Sequence, residues 1–231
     1  MNLENGQKKR IGIFGGSFDP PHYGHRIVPF YAYHFAKLDE VWMMVSPQNP
    51  IKSSVKESLE VRVELCEILA KSDRWLKVTD IEKNFESTET ADTLKSLQEI
   101  YPDYDFTWIM GADNLADFHN WNHWQDIIDN HQIIVLPRKN YNDKALNSVA
   151  AQYAAHLKVE NPNDLAGKSR GWTFLNVPSF NISSSEIADE LSSGKRQMRD
   201  LPFEIENKIL EKGLYGTGKT LAPIIKPGPQ P

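Results

Sequence analysis

Short apolar runs alternate along the chain with longer segments whose apolar positions recur at helical spacing. A run of four to eight apolar residues bounded by turn formers reads as a strand buried on both faces, and recurrence at i, i+3, i+4 and i+7 reads as an amphipathic helix. Strands are therefore expected at 10–14, 40–46, 75–79, 105–110, 131–137 and 172–177. Helices are expected at 24–37, 56–72, 90–101, 115–130 in one or two pieces, 143–157, 184–193 and 203–212. Strand–helix alternation is the pattern of βαβ units whose crossovers cover both faces of a parallel sheet.

The expected fold class is α/β, a single doubly wound Rossmann-like domain with a parallel sheet and additional C-terminal helices. Its expected span is 10–215, after a polar N-terminal extension at 1–9 and before a flexible Pro/Gly-rich tail at 216–231. Residues 159–171 carry Asn, Pro, Asp and Gly without periodicity and read as a surface loop.

Composition narrows the class. At 231 residues and 40% hydrophobic content the chain can bury a large core, which excludes intrinsic disorder. A formal net charge of -5 without a basic cluster argues against a nucleic-acid partner. The aliphatic runs at 11–14 and 133–136 fall far short of the roughly 20 residues a membrane span needs, so no membrane partner is expected. One cysteine, Cys66, cannot form an internal disulfide, and a soluble cytoplasmic protein is expected. Homo-oligomerisation is compatible with all of this.

The strongest chemical signal follows the first expected strand, in Gly15-Gly16-Ser17-Phe18-Asp19-Pro20-Pro21-His22-Tyr23-Gly24-His25. Ligands of open α/β sheets bind beyond the carboxyl ends of the strands, and the first strand-to-helix turn is the usual phosphate site. Glycines without Cβ atoms let backbone N–H groups approach phosphate oxygens. His22 and His25, where the loop enters its helix, can donate hydrogen bonds to a phosphate whose charge grows in a transition state. A tight turn with helix-capping histidines is the plainer alternative.

This segment resembles the signature of the HxGH nucleotidyltransferases. The resemblance implies attack of a substrate phosphate oxygen on the α-phosphorus of a nucleoside triphosphate, releasing pyrophosphate without a covalent enzyme intermediate. His22 and His25 would stabilise the pentavalent transition state, Gly15, Gly16, Ser17 and Phe18 would bind ATP, and Mg²⁺ would neutralise the triphosphate. Ile182-Ser183-Ser184-Ser185-Glu186-Ile187-Ala188 reads by itself as a helix start with a capping box from Ser183 to Glu186. It also resembles the family's second motif, which implies ATP-phosphate contacts for Ser183, Ser184 and Ser185. The family's closing arginine is replaced by Ala188; either Arg196 or Arg199 supplies the cation, or activity is reduced. Ala188→Arg is expected to tighten ATP binding if the site is otherwise intact.

Two further segments resemble nicotinate mononucleotide adenylyltransferases. In Ser87-Thr88-Glu89-Thr90-Ala91-Asp92-Thr93-Leu94 a helix start has free N–H groups that favour an anion, and the resemblance implies nicotinate mononucleotide contacts for Thr90 and Thr93. In Gly111-Ala112-Asp113-Asn114-Leu115, followed by Phe118 and Trp121, it implies that Asp113 lies by ribose and phosphates and that Trp121 stacks on the pyridine ring. Core packing is the alternative for Trp121. Lys52 matches a family lysine, but Ile51 stands where the family has histidine, so only a phosphate contact is implied for Lys52. The resemblance covers 10–215, through the closing Gly213-Leu214-Tyr215.

The implied activity is AMP transfer from ATP to nicotinate mononucleotide, giving deamido-NAD and pyrophosphate. Pantetheine-phosphate adenylyltransferase and a catalytically weakened nucleotide-binding regulator are the alternatives. Residues 213–220 fit the Walker A pattern, yet they follow an expected helix and run into prolines, so they are rejected as a phosphate loop. His119 and His123 lack a third metal ligand and are read as solvent-facing or substrate-side; no protein metal site is expected.

Overall fold

The computed structural model describes residues 8–47 and 56–218. Lys52, most of the N-terminal extension and the tail beyond Gly218 lie outside the described residues. Six strands form one sheet: β1 (Lys9–Gly16), β2 (Glu40–Val45), β3 (Leu76–Thr79), β4 (Tyr104–Gly111), β5 (Gln132–Leu136) and β6 (Gly171–Phe174). All neighbours pair in parallel, in the order β3-β2-β1-β4-β5-β6. The helices are α1 (Tyr23–Phe35), α2 (Leu59–Ala70), α3 (Thr90–Ile100), α4 (Ala112–Asp117), α5 (Trp124–Asn130), α6 (Asn142–Leu146), α7 (Val149–Tyr153), α8 (Ser184–Ser192) and α9 (Phe203–Lys212). The doubly wound α/β expectation is met.

Successive strand residues point to opposite faces, so a sheet covered on both sides sorts its side chains into two cores. Val41, Met43, Val45, Ile109, Ile134 and Leu136 join one cluster with residues of α1, α2, α8 and α9. Ile11, Ile13, Met44, Trp108, Met110, Ile133 and Val135 join the other, with residues of α3, α4, α5 and α7. The winding reverses between β1 and β4, which are paired side by side. A crevice opens at their carboxyl ends, where such a sheet binds ligands.

Three expectations change in detail. The segment expected at 115–130 begins earlier, at Ala112, and divides into α4, a 3₁₀ turn at Phe118–Asn120 and α5, because Trp121 is extended and His123 adopts left-handed backbone. The helix expected at 143–157 divides into α6 and α7, because Ser148 caps the second piece by accepting a 3.2 Å hydrogen bond from Ala151 N–H. The 159–171 segment is more than a surface loop: it contains a 3₁₀ turn at Pro162–Leu165, and Leu165 is fully buried in the core.

Candidate active site

The loop after β1 is shaped by what fills the spaces beside its glycines. A Cβ on Gly15 would lie 2.8 Å from Trp108 Cη2, and one on Gly16 would lie 3.0 Å from the Phe18 ring. The missing side chains therefore admit protein aromatics as well as leaving backbone open to a ligand. Phe18 is buried, takes left-handed backbone (φ 49) and sets its ring edge against His25 at 4.9 Å. Phe18 thus supports a histidine while lining the cavity.

His22 sits at the N-cap of α1 and His25 at its third position. Their rings stack at 3.7 Å with planes 19° apart, and His22 N–H donates to His25 Nδ1 at 3.3 Å. An accepting Nδ1 carries no proton, so the neutral His25 ring bears its proton on Nε2 as a donor. The capping alternative is therefore realised at His25 through Nδ1. Gly24 keeps the pair in register, since a Cβ there would lie 2.9 Å from His22 Cε1. Gly24→Ala is expected to displace the His22 ring and lower kcat by about tenfold or more while the helix still forms; steady-state kinetics beside a thermal melt checks this.

Two cavities meet at this loop. The first, about 260 Å³, is lined by Gly16, His22, His25, Asp113, Arg138 and Ser183–Ser185, among others. The second, about 240 Å³, is lined by Glu82, Thr88, Glu89, Thr90, Trp108 and Trp121, among others. Phe14, Gly15, Gly16 and Asn114 line both. Ser17 also borders the first cavity.

The serines divide their work. Ser183 Oγ accepts from Glu186 N–H at 3.4 Å as the α8 N-cap, and Ser184 Oγ donates to Pro20 carbonyl at 3.0 Å, tying α8 to the loop after β1. Ser185 is exposed at the cavity wall. Ala188 has no exposed surface and packs in the core. Arg196 donates to the carbonyls of Leu191 and Lys195, and neither it nor Arg199 lines the first cavity. The cation that does is Arg138, just beyond β5, held by Ile182 carbonyl (3.3 Å) and by Asp113 Oδ2 at 3.9 Å from Nε. Among the described lining residues it is the one Lys or Arg.

In the second cavity Thr90 lies on the wall, and Trp121 rests edge to face on Phe118 at 5.1 Å. Thr93 is not brought to the cavity: it is fully buried, and its hydroxyl donates to Glu82 Oε1 at 2.8 Å. Burial pushes the Glu82 carboxyl above the usual range, opposed by the hydroxyls of Ser46 and Thr93. His119 and His123 do not share one helix, and His123 instead approaches Asp126 Oδ2 at 3.3 Å. Among the described residues no group of three or more His, Cys, Asp or Glu is gathered for a metal ion. The Walker-like segment follows α9, not a strand, and its Lys219 and Thr220 lie outside the described residues.

Sequence reasoning missed Arg138, Asn114, Glu82 and Trp108. Asn114 lies inside the Gly111–Leu115 motif, and Arg138 follows a strand end directly, which is the one signal pointing to it.

The sequence model of the Cytidylyltransferase-like family matches residues 13–190. A protein of Ruegeria pomeroyi described as a probable nicotinate-nucleotide adenylyltransferase is 41% identical over 180 residues, covering 77% of this chain and 84% of its own length. The chain belongs to the nicotinate-nucleotide adenylyltransferase family. Another such relative, from Agrobacterium fabrum, is 40% identical over 183 residues, covering 77% of this chain and 96% of its own. Family membership accords with the fold: the Plasmodium falciparum nicotinic acid mononucleotide adenylyltransferase, solved in complex with NaAD, superposes with a TM-score of 0.70 at 22% identity, over 91% of this chain and 98% of that one. Among the described residues no helix is long and apolar enough to cross a membrane.

Proposed function

We propose that this adenylyltransferase-family chain transfers AMP from ATP to nicotinate mononucleotide, giving nicotinate adenine dinucleotide and pyrophosphate. The observation that carries the reading is the meeting of two cavities at Gly15–Gly16 and Asn114. A phosphate lying in that seam can be reached from both sides. ATP fits the cavity with the histidines, the α8 N-terminus and Arg138; the mononucleotide fits the one with Thr90 and Trp121.

The chemistry needs alignment more than a base, because the attacking phosphate oxygen is already ionised. That oxygen bonds to the α-phosphorus as the bond to the bridging oxygen of pyrophosphate breaks. His25 Nε2–H and the His22 ring meet the charge on the non-bridging oxygens as it grows. Gly16, Ser17 and the N-terminal amides of α8 with Ser183–Ser185 hold the phosphates, and Arg138 neutralises part of their charge. Mg²⁺, bound chiefly by the triphosphate, would supply further neutralisation. Asp113 is the one carboxylate among the described lining residues of the first cavity and so the protein oxygen ligand available to such an ion. Trp121 offers a ring face to the pyridine, and the free N–H groups at the start of α3 favour a nicotinate carboxylate.

The catalytic domain on this reading runs over 10–215, and the enzyme works in the cytoplasm, consistent with a buried free Cys66. Pyrophosphate release from ATP and Mg²⁺ with nicotinate mononucleotide, nicotinamide mononucleotide or phosphopantetheine as acceptor tests it. Strong preference for the nicotinate form is expected, equal rates with the two mononucleotides would remove the substrate assignment, and no release with any acceptor would leave a binding protein. Arg138→Ala is expected to raise the KM for ATP about tenfold or more, because hydrogen bonds to charged groups contribute about 1.5–3 kcal/mol. The KM for the mononucleotide in the same assay is the control.

A further inference from the structure

A tyrosine at the end of the fold reaches back to the phosphate loop. Tyr215 is buried, and its hydroxyl donates a 2.8 Å hydrogen bond to Asp19 Oδ1, 196 residues away. The other Asp19 oxygen accepts from Lys56 N–H. Asp19 is also buried, so its carboxylate depends on such donors. It directly follows Phe18, whose ring supports His25.

The contacts close into a ring. Tyr215 N–H donates to Glu57 Oε1 at 2.6 Å, Arg62 Nε donates to Glu57 carbonyl at 3.1 Å, and Arg62 Nη1 donates to Ser17 carbonyl at 2.7 Å, two residues before Asp19. Arg62 is fully buried. Tyr215 meets its part of the ring from left-handed backbone (φ 54, ψ 31), an uncommon conformation for a bulky residue that its surroundings must hold. Filling a core requires neither the hydroxyl nor that conformation. Burial first, and then the neighbouring Asp19 charge and hydrogen bond, raise the Tyr215 hydroxyl far above its ordinary range, so it remains a protonated donor.

We propose that Tyr215 is a positioning residue for the triphosphate: through Asp19 it holds residues 15–22 at the curvature that presents Gly16 N–H and the His25 ring to ATP. The proposal rests on the functional reading above. Wild type, Tyr215→Phe, Asp19→Asn and the double variant are to be compared by calorimetric titration with ATP and Mg²⁺, and by pyrophosphate release with nicotinate mononucleotide. Tyr215→Phe keeps the ring in the core, so a purely packing role predicts wild-type ATP affinity. The positioning role predicts ATP binding weaker by about fivefold or more in each single variant. The double variant is expected to be no weaker than the worse single, as for residues acting through one contact. The KM for the mononucleotide should change less than the ATP affinity, since of residues 15–22 only Gly15 and Gly16 border its cavity. Wild-type ATP affinity in Tyr215→Phe, or losses that multiply in the double variant, overturns the proposal. If Tyr215→Phe loses its cooperative melt, Asp19→Asn decides by the same titration. A wild-type chain that binds ATP without releasing pyrophosphate counts against the functional reading, while the binding comparison still decides the role of Tyr215.

Discussion

Replacing His25 by alanine is expected to lower kcat for pyrophosphate release by about 10²- to 10³-fold, the range for removing one preorganised donor from a developing oxyanion. The ring is fixed from several directions. Its Nδ1 accepts from His22 N–H at 3.3 Å, the Phe18 ring stands nearly perpendicular with its centroid 4.9 Å away, and the His22 ring stacks on it at 3.7 Å. A donor held this rigidly needs no reorganisation when charge moves onto the phosphate, and alanine leaves nothing in its place. Because the interaction strengthens in the transition state, the loss should fall on kcat and far less on the KM for ATP. Steady-state kinetics with both substrates varied separates these. A kcat within about threefold of wild type would mean that His25 is chiefly a helix cap. His22→Ala should show the same pattern, with incomplete additivity, because the rings support one another.

Ala188→Arg is expected to destabilise the fold, the reverse of what the family pattern suggests. Ala188 has no exposed surface and lies in the cluster that also holds Phe18, Ile187, Leu191 and Ile205. A guanidinium there must displace packed side chains, at about 1–3 kcal/mol, and leave water for an apolar cluster, at several kcal/mol more. For a chain of this size a loss of about 3 kcal/mol lowers Tm by roughly 6–12 °C. Thermal melts with ATP titrations check this. An unchanged Tm with tighter ATP binding would show that α8 can turn this position toward the first cavity and that Arg138 does not already fill the cationic role.

Much of the geometry of the loop after β1 was legible in sequence because its constraints are local. Gly24 is spaced to clear His22, the histidines are placed by the first turn of one helix, and Ser183 caps the next motif's helix two residues before Ser185 reaches the wall. Thr93 was misjudged because helical spacing puts it near Thr90 in sequence, while its hydrogen bond to Glu82 holds it on the inward side of α3. The 115–130 segment, expected in one or two pieces, forms two, parted at the left-handed His123; the single helix expected at 143–157 was misread because periodicity persists across the break that the Ser148 cap makes.

By itself the sequence determined the strand–helix alternation, hence a parallel sheet with a glycine-rich loop after its first strand, and the residue types able to do phosphate chemistry. Tertiary structure decided which of them share a space. Arg138 and Ile182 are 44 residues apart, and Tyr215 and Asp19 are 196 apart. No local periodicity encodes such pairs, since they arise only when separate crossovers dock at the carboxyl edge of one sheet. The missing family arginine shows the difference most clearly: composition and motif could report its absence, but only the seating of α8 against the core showed that Ala188 faces inward while a cation from the end of β5 lines the first cavity.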